Sequence, residues 1–383
     1  MARLNDVANI WNTVKELDVG DIREQAEQPC RIAIVGQRIG ARNAVAQALT
    51  GGADRFPARG GQALDIFDVP LTRERTADLG RSDAVVLVVQ GDEPLSYDEF
   101  LTYEKLSVLP VPLLLVVIGA EAAPAPAETV PDPDWSAVPA AFVPSLADAA
   151  DLRKQVATAL VELLPEALLL AAARRLPGLR PAAAQSLIAN VSLSNATYAF
   201  TTGLPEMIPV LNLPLNAADM LVLTKNQALL VYRIALAMGA DGDFSAMIKE
   251  VMPVIGGGFL WRQLARQLVG LIPVVGLLPK VAVAYAGTYA TGVVAARWYH
   301  QGEMLSGKAL KATMSDALAE GRRRAQALLQ ARKKDERLQE QLLNEPTGAS
   351  TAKPQRPGLV RRLLTRARGL LPRRFRGGHP KSG

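Results

Sequence analysis

The chain has 383 residues, enough for two or three domains that each bury a core of their own. Almost half of the residues (49%) are hydrophobic and only 5% are aromatic, a composition that excludes wholesale disorder. The net charge of +6 is placed unevenly: 17 of the 43 Lys and Arg residues follow residue 320, but only 4 of the 37 Asp and Glu residues do. The C-terminal end therefore carries +13 and the preceding part −7, so the basic character belongs to a tail.

Cysteine and histidine usage argues against two kinds of site. Cys30 is the only cysteine, so no disulfide forms within the chain, and a reducing compartment fits. Its position beside an apolar strand predicts a small buried hydrophobe. His300 and His379 cannot build a zinc cluster with one cysteine. The first twenty residues lack an apolar h-region, so no secretory signal is predicted.

The first 165 residues alternate between apolar runs of strand length and amphipathic helices. Val7, Ile10, Trp11 and Val14 recur at helical spacing and predict a lead-in helix within residues 1–30. Strands are predicted at 31–35, 63–69, 84–89, 113–118 and 140–143, and helices at 42–50, 96–107 and 148–164. Runs such as AVVLVV and VPLLLVVI are typical of strands buried on both faces of a parallel sheet. An α/β domain is therefore predicted for the segment that follows the lead-in helix, through residue 165.

Beyond residue 165 the strand pattern disappears. We predict an all-α, partly membrane-apolar domain over 166–310, a charged helix over 311–345 and a basic, disordered tail over 346–383. The stretch 268–296 spans 29 residues with one charge, Lys280, but prolines divide it into pieces that are short for a straight crossing. A hairpin dipping into one leaflet and a pair of helices packed inside the protein both remain open.

The sequence RIAIVGQRIGARN, at the first strand, has the outline of a phosphate-binding loop, G-x-x-x-x-G-K-[ST]. Gly36 keeps the turn, whereas Ala41 replaces the second glycine, Arg42 the lysine and Asn43 the hydroxyl. In a working loop the lysine holds the phosphates and the hydroxyl ligates Mg²⁺. Arg42 still offers a cation to a phosphate, but its planar fork is not equivalent to an ammonium. The alternative is plain turn chemistry at Gly36 and Gly40.

Later segments follow the order of the Era- and TrmE-like small GTPases, which residues 31–165 resemble. ALDIFDVPL matches the D-x-P-G strand at Asp68, with Leu71 in place of the glycine. RSDAVVLVVQGDEPLSYDEF resembles the next strand and helix, and FVPSLADAADL the final V-x-x-S-A-L segment, with Ser145 in place. The guanine-specifying N-K-x-D reads I-G-A-E, and the segment before residue 63 lacks a convincing switch threonine. Asp68 alone is also compatible with a capping role.

The resemblance implies a P-loop GTPase-like fold of the translation-factor class with an eroded nucleotide site. The residues implied for nucleotide contact are Gly36, Gly40, Arg42, Asn43, Asp68 and Ser145. No catalytic residue and no metal ligand is assigned, and GTP with Mg²⁺ are the cofactors that an intact site would take. The expected function is that of a pseudo-GTPase or scaffold. The alternative is a GTP-binding switch with weak GTPase activity at a membrane.

Residues 180–310 resemble the YcjF-like membrane-associated family, for which no activity is established. The matching stretches are IPVLNLPLNAADMLVLTKNQALLVYRIALAMGAD, GGGFLWRQLARQLVGLIPVVGLLPK and VAVAYAGTYATGVVAARWYHQGE. Asp219, Lys225, Asn226 and Gln227 form a polar cluster in this otherwise apolar region. It predicts either a site facing a cavity or an ordinary satisfied helix surface.

The tail sequence PGLVRRLLTRARGLLPRRFRGG (357–378) places seven arginines among leucines. As a helix it would have a leucine face and an arginine face, which favours docking on an anionic membrane surface. A solvated tail is the alternative, and nucleic-acid binding is disfavoured because Phe375 is the only aromatic residue available for stacking. These features predict a cytoplasmic protein at the inner face of a membrane. The protein partner and any homo-oligomer stay undefined.

Overall fold

The computed structural model describes residues 17–52, 54–203, 217–256 and 277–344. The first part of the predicted lead-in helix, the first part of the apolar stretch 268–296 and the basic tail lie outside these ranges. The tail predictions therefore stay predictions.

Within the described residues up to Arg175, the structure contains five strands and six α-helices. The strands are β1 Ile32–Gly36, β2 Leu64–Asp68, β3 Ala84–Gln90, β4 Leu113–Ile118 and β5 Ala140–Val143. The helices are α1 Gly20–Glu27, α2 Ile39–Thr50, α3 Arg73–Leu79, α4 Tyr97–Ser107, α5 Ala149–Leu163 and α6 Leu169–Arg175. All five strands coincide with predicted ones to within one residue. Helix α3 was not predicted from the sequence, because it is only seven residues long and its buried apolar side is Leu79 alone.

The strands form one parallel sheet in the order β2-β1-β3-β4-β5. This confirms the predicted parallel α/β architecture. The registers are continuous, so the carboxyl ends of β1 and β2 meet at Gly36 and Asp68, and Gly36 also faces Val88 of β3. Strand β2 lies on one side of β1, whereas β3, β4 and β5 lie on the other side. The order in which the strands are added therefore reverses at β1. Open parallel sheets bind ligands beside such a switch point, outside the carboxyl ends of the strands.

The two faces of the sheet bury different cores because successive strand residues point in opposite directions. Ala33, Val35 and Leu87 lie on the face covered by α3 and α4. Ile34 and Val86 lie on the other face, under α2 and α5, and this second core continues without a break into the helical region. The α/β unit and the helices that follow it therefore share one hydrophobic core.

The described part of the helical region contains five further α-helices. They are α7 Arg180–Gly203, α8 Ala217–Ala237, α9 Phe244–Gly256, α10 Leu277–Gln301 and α11 Gly307–Asn344. Helix α11 corresponds to the predicted charged helix. A Cβ added at Gly292 of α10 would lie 2.5 Å from Ile188 of α7, and one at Gly321 of α11 would lie 2.8 Å from the Ala282 carbonyl oxygen. Small residues thus permit close approach of these helices.

Among the described residues, no helix combines the length and the apolar character required to cross a membrane. Helix α10 takes in the second part of the apolar stretch 268–296 and packs between α7 and α11. Its buried side is dominated by alanine, as at Ala282, Ala286 and Ala290.

Candidate functional site

The turn between β1 and α2 is shorter than a phosphate-binding loop. Strand β1 ends at Gly36 and α2 begins at Ile39, so two residues separate them. The sequence predicted a helix start near Arg42, but the Arg42 N–H already donates to the Arg38 carbonyl (3.1 Å) and closes the first helical turn. Gly40 therefore lies inside the helix, and neither it nor Gly36 has a positive φ.

The N-terminus of helix α2 keeps one feature that favours a bound anion. The side chain of the N-cap residue, Arg38, makes no capping hydrogen bond to the first turn. Uncapped N–H groups and the positive end of the helix dipole favour bound anions.

Arg42 is turned into the protein and is only 4% exposed. Its Nη1 donates to the carbonyl oxygens of Gly36 (2.7 Å) and Phe67 (2.9 Å) and forms an ion pair with the Asp68 carboxylate. The side chain therefore ties the carboxyl ends of β1 and β2 together. Its Nε is buried and has no hydrogen-bond partner.

The other predicted site residues fall into two groups. Gly36, Gly40, Arg42 and Asp68 lie together at the switch point. Asn43 follows on α2 with an exposed side chain. Ser145 follows β5, three strands from β1 and thus on the order of 14 Å away; its Oγ accepts from the Ala147 N–H (3.1 Å) and shapes the turn into α5.

Two side-chain pairs bridge the β1–α2 turn and the loop after β3. Arg38 forms an ion pair with Glu93, whose carboxylate raises the pKa of Arg38 above its usual value. The Ser96 hydroxyl donates to the Gln37 side-chain oxygen (3.0 Å) and also joins the capping box at the start of α4. Sequence reasoning missed both pairs, because they join residues more than fifty positions apart.

Metal ligands are not grouped in the described ranges. Between residues 17 and 344, outside the gaps, no three His, Cys, Asp or Glu side chains are arranged to hold a metal ion.

The connector between α2 and β2 docks on the helical region through a buried ion pair. Asp54 Oδ2 lies 3.0 Å from Nη1 of Arg180, and their side chains are 4% and 0% exposed. Arg180 also donates to the carbonyl oxygens of Phe56 (2.6 Å) and Pro57 (2.9 Å). Burial lowers the pKa of Arg180, and the Asp54 carboxylate opposes that shift. The second Asp54 oxygen lies 2.6 Å from Nδ1 of His300.

The same connector makes further contacts through residues that follow Asp54. Arg55 pairs with Glu250 (3.1 Å) and lies over the Trp298 ring, 4.9 Å from its centroid. The Trp298 indole N–H donates to the same Glu250 carboxylate (3.1 Å). Farther along, Arg59 donates to the Gly239 carbonyl oxygen (2.8 Å). The connector, which occupies the place of the first GTPase switch in the resemblance, is therefore fastened to α7, α9, α10 and the turn after α8.

No family model matches this chain, and no curated protein matches it significantly. The resemblances to small GTPases and to the YcjF-like family therefore stay predictions.

The polar cluster predicted on α8 takes part in a buried hydrogen-bond network across three helices. Asn226 Nδ2 donates to Asn195 Oδ1 (2.6 Å), and Asn195 Nδ2 donates to Thr288 Oγ1 (2.8 Å). Gln227 Nε2 donates to the same hydroxyl (3.3 Å). Lys225 is exposed. The contacts match the satisfied-surface interpretation of Asn226 and Gln227, with α7 and α10 supplying the partners.

Proposed function

We propose that this protein is a membrane-associated scaffold built on a GTPase-like domain whose nucleotide site is eroded. The observation that carries the proposal is the state of Arg42, which stands at the lysine position of the resemblance. Its guanidinium is buried against Gly36, Phe67 and Asp68 instead of projecting from the turn. In this proposal the α/β domain acts through protein contacts and not through nucleotide turnover.

The energetic argument concerns what a phosphate would have to displace. For Arg42 to reach a phosphate, its bonds to the Gly36 and Phe67 carbonyl oxygens would be broken. Leaving a buried polar group unpaired costs about 1–3 kcal/mol, and Gly36 is fully buried within its strand. The two-residue turn also offers fewer backbone N–H groups than a complete phosphate-binding loop.

The docked connector supports the scaffold interpretation independently. A GTPase switch works because a segment becomes ordered around the γ-phosphate and Mg²⁺ and is released on hydrolysis. Here Asp54, Arg55 and Arg59 hold the corresponding segment against the helical region. Releasing it would break a buried ion pair, which is strongly unfavourable.

The membrane part of the proposal rests on sequence. The arginine- and leucine-rich segment 357–378 is suited to an anionic membrane surface, and we place the protein at the cytoplasmic face. Nucleic acid is disfavoured as a partner, and the protein partner is undefined.

Nucleotide titration tests the site. We expect a fluorescent GTP analogue with Mg²⁺ to show no saturable binding at millimolar concentration. Saturable binding that is competed by GTP, lost in Arg42→Ala and kept in Arg31→Ala would overturn the scaffold in favour of the weak switch. Arg31 is the matched control because it precedes β1, at the opposite end of the strand, and pairs with Asp65 near the solvent.

Vesicle flotation tests the membrane contact. Full-length protein is expected to float with vesicles that contain anionic lipid at low salt, and deletion of 351–383 should release it. Salt should weaken the association because exposed charges are screened. Full-length protein that stays in the soluble fraction at low salt would contradict this part alone.

A further inference from the structure

A cavity in the helical region carries an inference beyond the scaffold proposal. It has a volume of about 320 Å³ and lies between α7, α10 and the chain that follows α10. Its apolar wall consists of Ala184, Ile188, Met238, Val293, Ala296 and Leu305. Small-molecule sites are typically apolar concavities of this size or larger with a few placed polar groups.

The polar groups gather toward the end of α10. Arg297, His300 and Gln301 line the cavity there, together with Gln185 from α7. Arg297 Nη2 pairs with Glu303 (2.7 Å), whereas Arg297 Nε is buried and has no hydrogen-bond partner. The Arg297 side chain is 41% exposed, so the edge of its guanidinium that holds Glu303 is the part that a ligand oxygen in the cavity can reach.

The charged residues at this end of the cavity determine the sign of the charge that a ligand should carry. Arg297 is the arginine in the cavity lining and supplies the positive charge there. The Glu303 side chain is 62% exposed, and an exposed ion pair contributes only about 0–1 kcal/mol. A ligand carboxylate can therefore exchange with Glu303 at little cost. The helix end itself is unfavourable for an anion, which makes Arg297 the group that must hold it.

We propose that this cavity binds a single-chain amphiphile with a carboxylate head, such as a medium-chain fatty acid. The alkyl chain lies along the wall of α7 and α10, and the carboxylate accepts from Arg297 Nη2 in place of Glu303. His300 forms part of the same wall and faces Asp54 with Nδ1, so the ligand sits beside the buried pair that holds the connector.

Binding of dodecanoate to the full chain, below its micelle concentration and without vesicles, tests the proposal. We expect saturable binding that Arg297→Gln weakens by about tenfold, the effect of one lost charge-assisted hydrogen bond. Glu303→Gln should tighten binding severalfold, because it removes the competing carboxylate. Dodecanol should bind more weakly than dodecanoate and should not distinguish these variants. Arg81→Gln, which changes an exposed arginine in the α/β domain, is the matched control and should bind as the wild type does.

A second variant tests the cavity without changing Arg297. Ala296→Phe fills the cavity from a half-buried position on α10 and should abolish binding, while an unchanged melting transition shows that the fold is intact. Absence of saturable dodecanoate binding, or binding that Arg297→Gln leaves unchanged, overturns the proposal. Arg297-dependent binding to phosphatidate vesicles without binding of free dodecanoate also overturns it, because the site would then recognise a lipid headgroup. Nucleotide titration is unaffected by all of these outcomes.

Discussion

Asp54 and Arg180 form an ion pair in which neither side chain is more than 4% exposed. The pair joins the connector after α2 to the first residue of α7, 126 positions later in the chain. Arg180 also donates to the Ala173 carbonyl oxygen (3.2 Å), so its guanidinium is surrounded by protein acceptors. This one side chain links the α/β domain to the helical region.

The first prediction concerns the removal of the Asp54 charge. Asp54→Asn leaves Arg180 buried and without its counter-ion, and we expect the free energy of unfolding to fall by about 3–5 kcal/mol. Asp65→Asn is the control, because Asp65 makes a partly exposed pair with Arg31 and should cost about 0–1 kcal/mol. Urea denaturation of the full chain measures both. Equal losses in the two variants would show that the buried pair does not hold the junction.

The sequence was sufficient for the sheet because its strands are continuous apolar runs. AVVLVV and LLLVVI have no polar alternation, which is characteristic of parallel strands covered on both sides. Gly36 and Asp68, which the resemblance assigns to one site, lie together because β1 and β2 are adjacent parallel strands that end at the same edge. Helix α3 was missed because one buried leucine gives no periodic signal.

The docked connector could not be predicted, for a different physical reason. Asp54, Arg55 and Arg59 lie in a short Gly-rich segment, and local pattern says nothing about partners more than a hundred positions away. The burial of Arg42 has the same origin: its acceptors include the carbonyl of Phe67, on another strand. Several charged residues within one short loop were the only sign in the sequence that this segment binds elsewhere in the protein.

The second prediction separates the two glycines of the β1–α2 turn. A Cβ at Gly36 would lie 2.7 Å from the Val88 carbonyl oxygen and 3.2 Å from Arg42, so Gly36→Ala should destabilise the fold by about 1–3 kcal/mol. A Cβ at Gly40 would meet nothing within 4 Å, and Gly40→Ala should stabilise the fold by about 0.5–1 kcal/mol.

Thermal and urea unfolding of these two variants measures the contrast. If either glycine contacted a bound phosphate, its substitution would instead lower the affinity of the protein for nucleotide. If Gly40→Ala destabilises the protein as much as Gly36→Ala does, α2 does not begin where the structure places it.

The third prediction concerns alkaline pH. Burial, followed by the charge of Asp83, raises the pKa of the Cys30 thiol from 9.0 to about 12. The folded state therefore holds the thiol proton more tightly than the unfolded chain. Its contribution to stability is complete below pH 9 and is lost as pH rises toward 12, by up to about 1.4 kcal/mol per pH unit.

The difference between wild type and Cys30→Ala isolates this effect, because buried tyrosines such as Tyr285 titrate in the same range in both proteins. We expect the unfolding free energy of the wild type to fall more steeply above pH 9. Native protein at pH 8 should also resist alkylation by iodoacetamide until it unfolds. If the unfolding free energies of the two proteins changed with pH in parallel, the prediction that burial raises the pKa of Cys30 would be wrong.

The fourth prediction tests the polar network between α7, α8 and α10. Thr288 Oγ1 accepts from Asn195 (2.8 Å) and Gln227 (3.3 Å), and it donates to the Ala284 carbonyl oxygen (2.8 Å). Thr288→Val keeps the shape but leaves the buried Asn195 amide without its acceptor, so we expect a loss of about 1–3 kcal/mol. Thr291→Val is the control. Thr291 is equally buried one turn away and bonds only to the carbonyl of its own helix at Gly287, so its loss should be smaller.

A double-mutant cycle decides whether the network acts as a unit. Once Asn195→Leu has removed the unpaired amide, adding Thr288→Val should cost much less than it costs alone, and the coupling should be about 0.5–3 kcal/mol. The same cycle between Asn195→Leu and Thr291→Val should be additive. Additivity in both cycles would mean that Asn195 and Thr288 merely lie close together, and the specificity of helix packing would then rest on the alanine and glycine contacts of α10 alone.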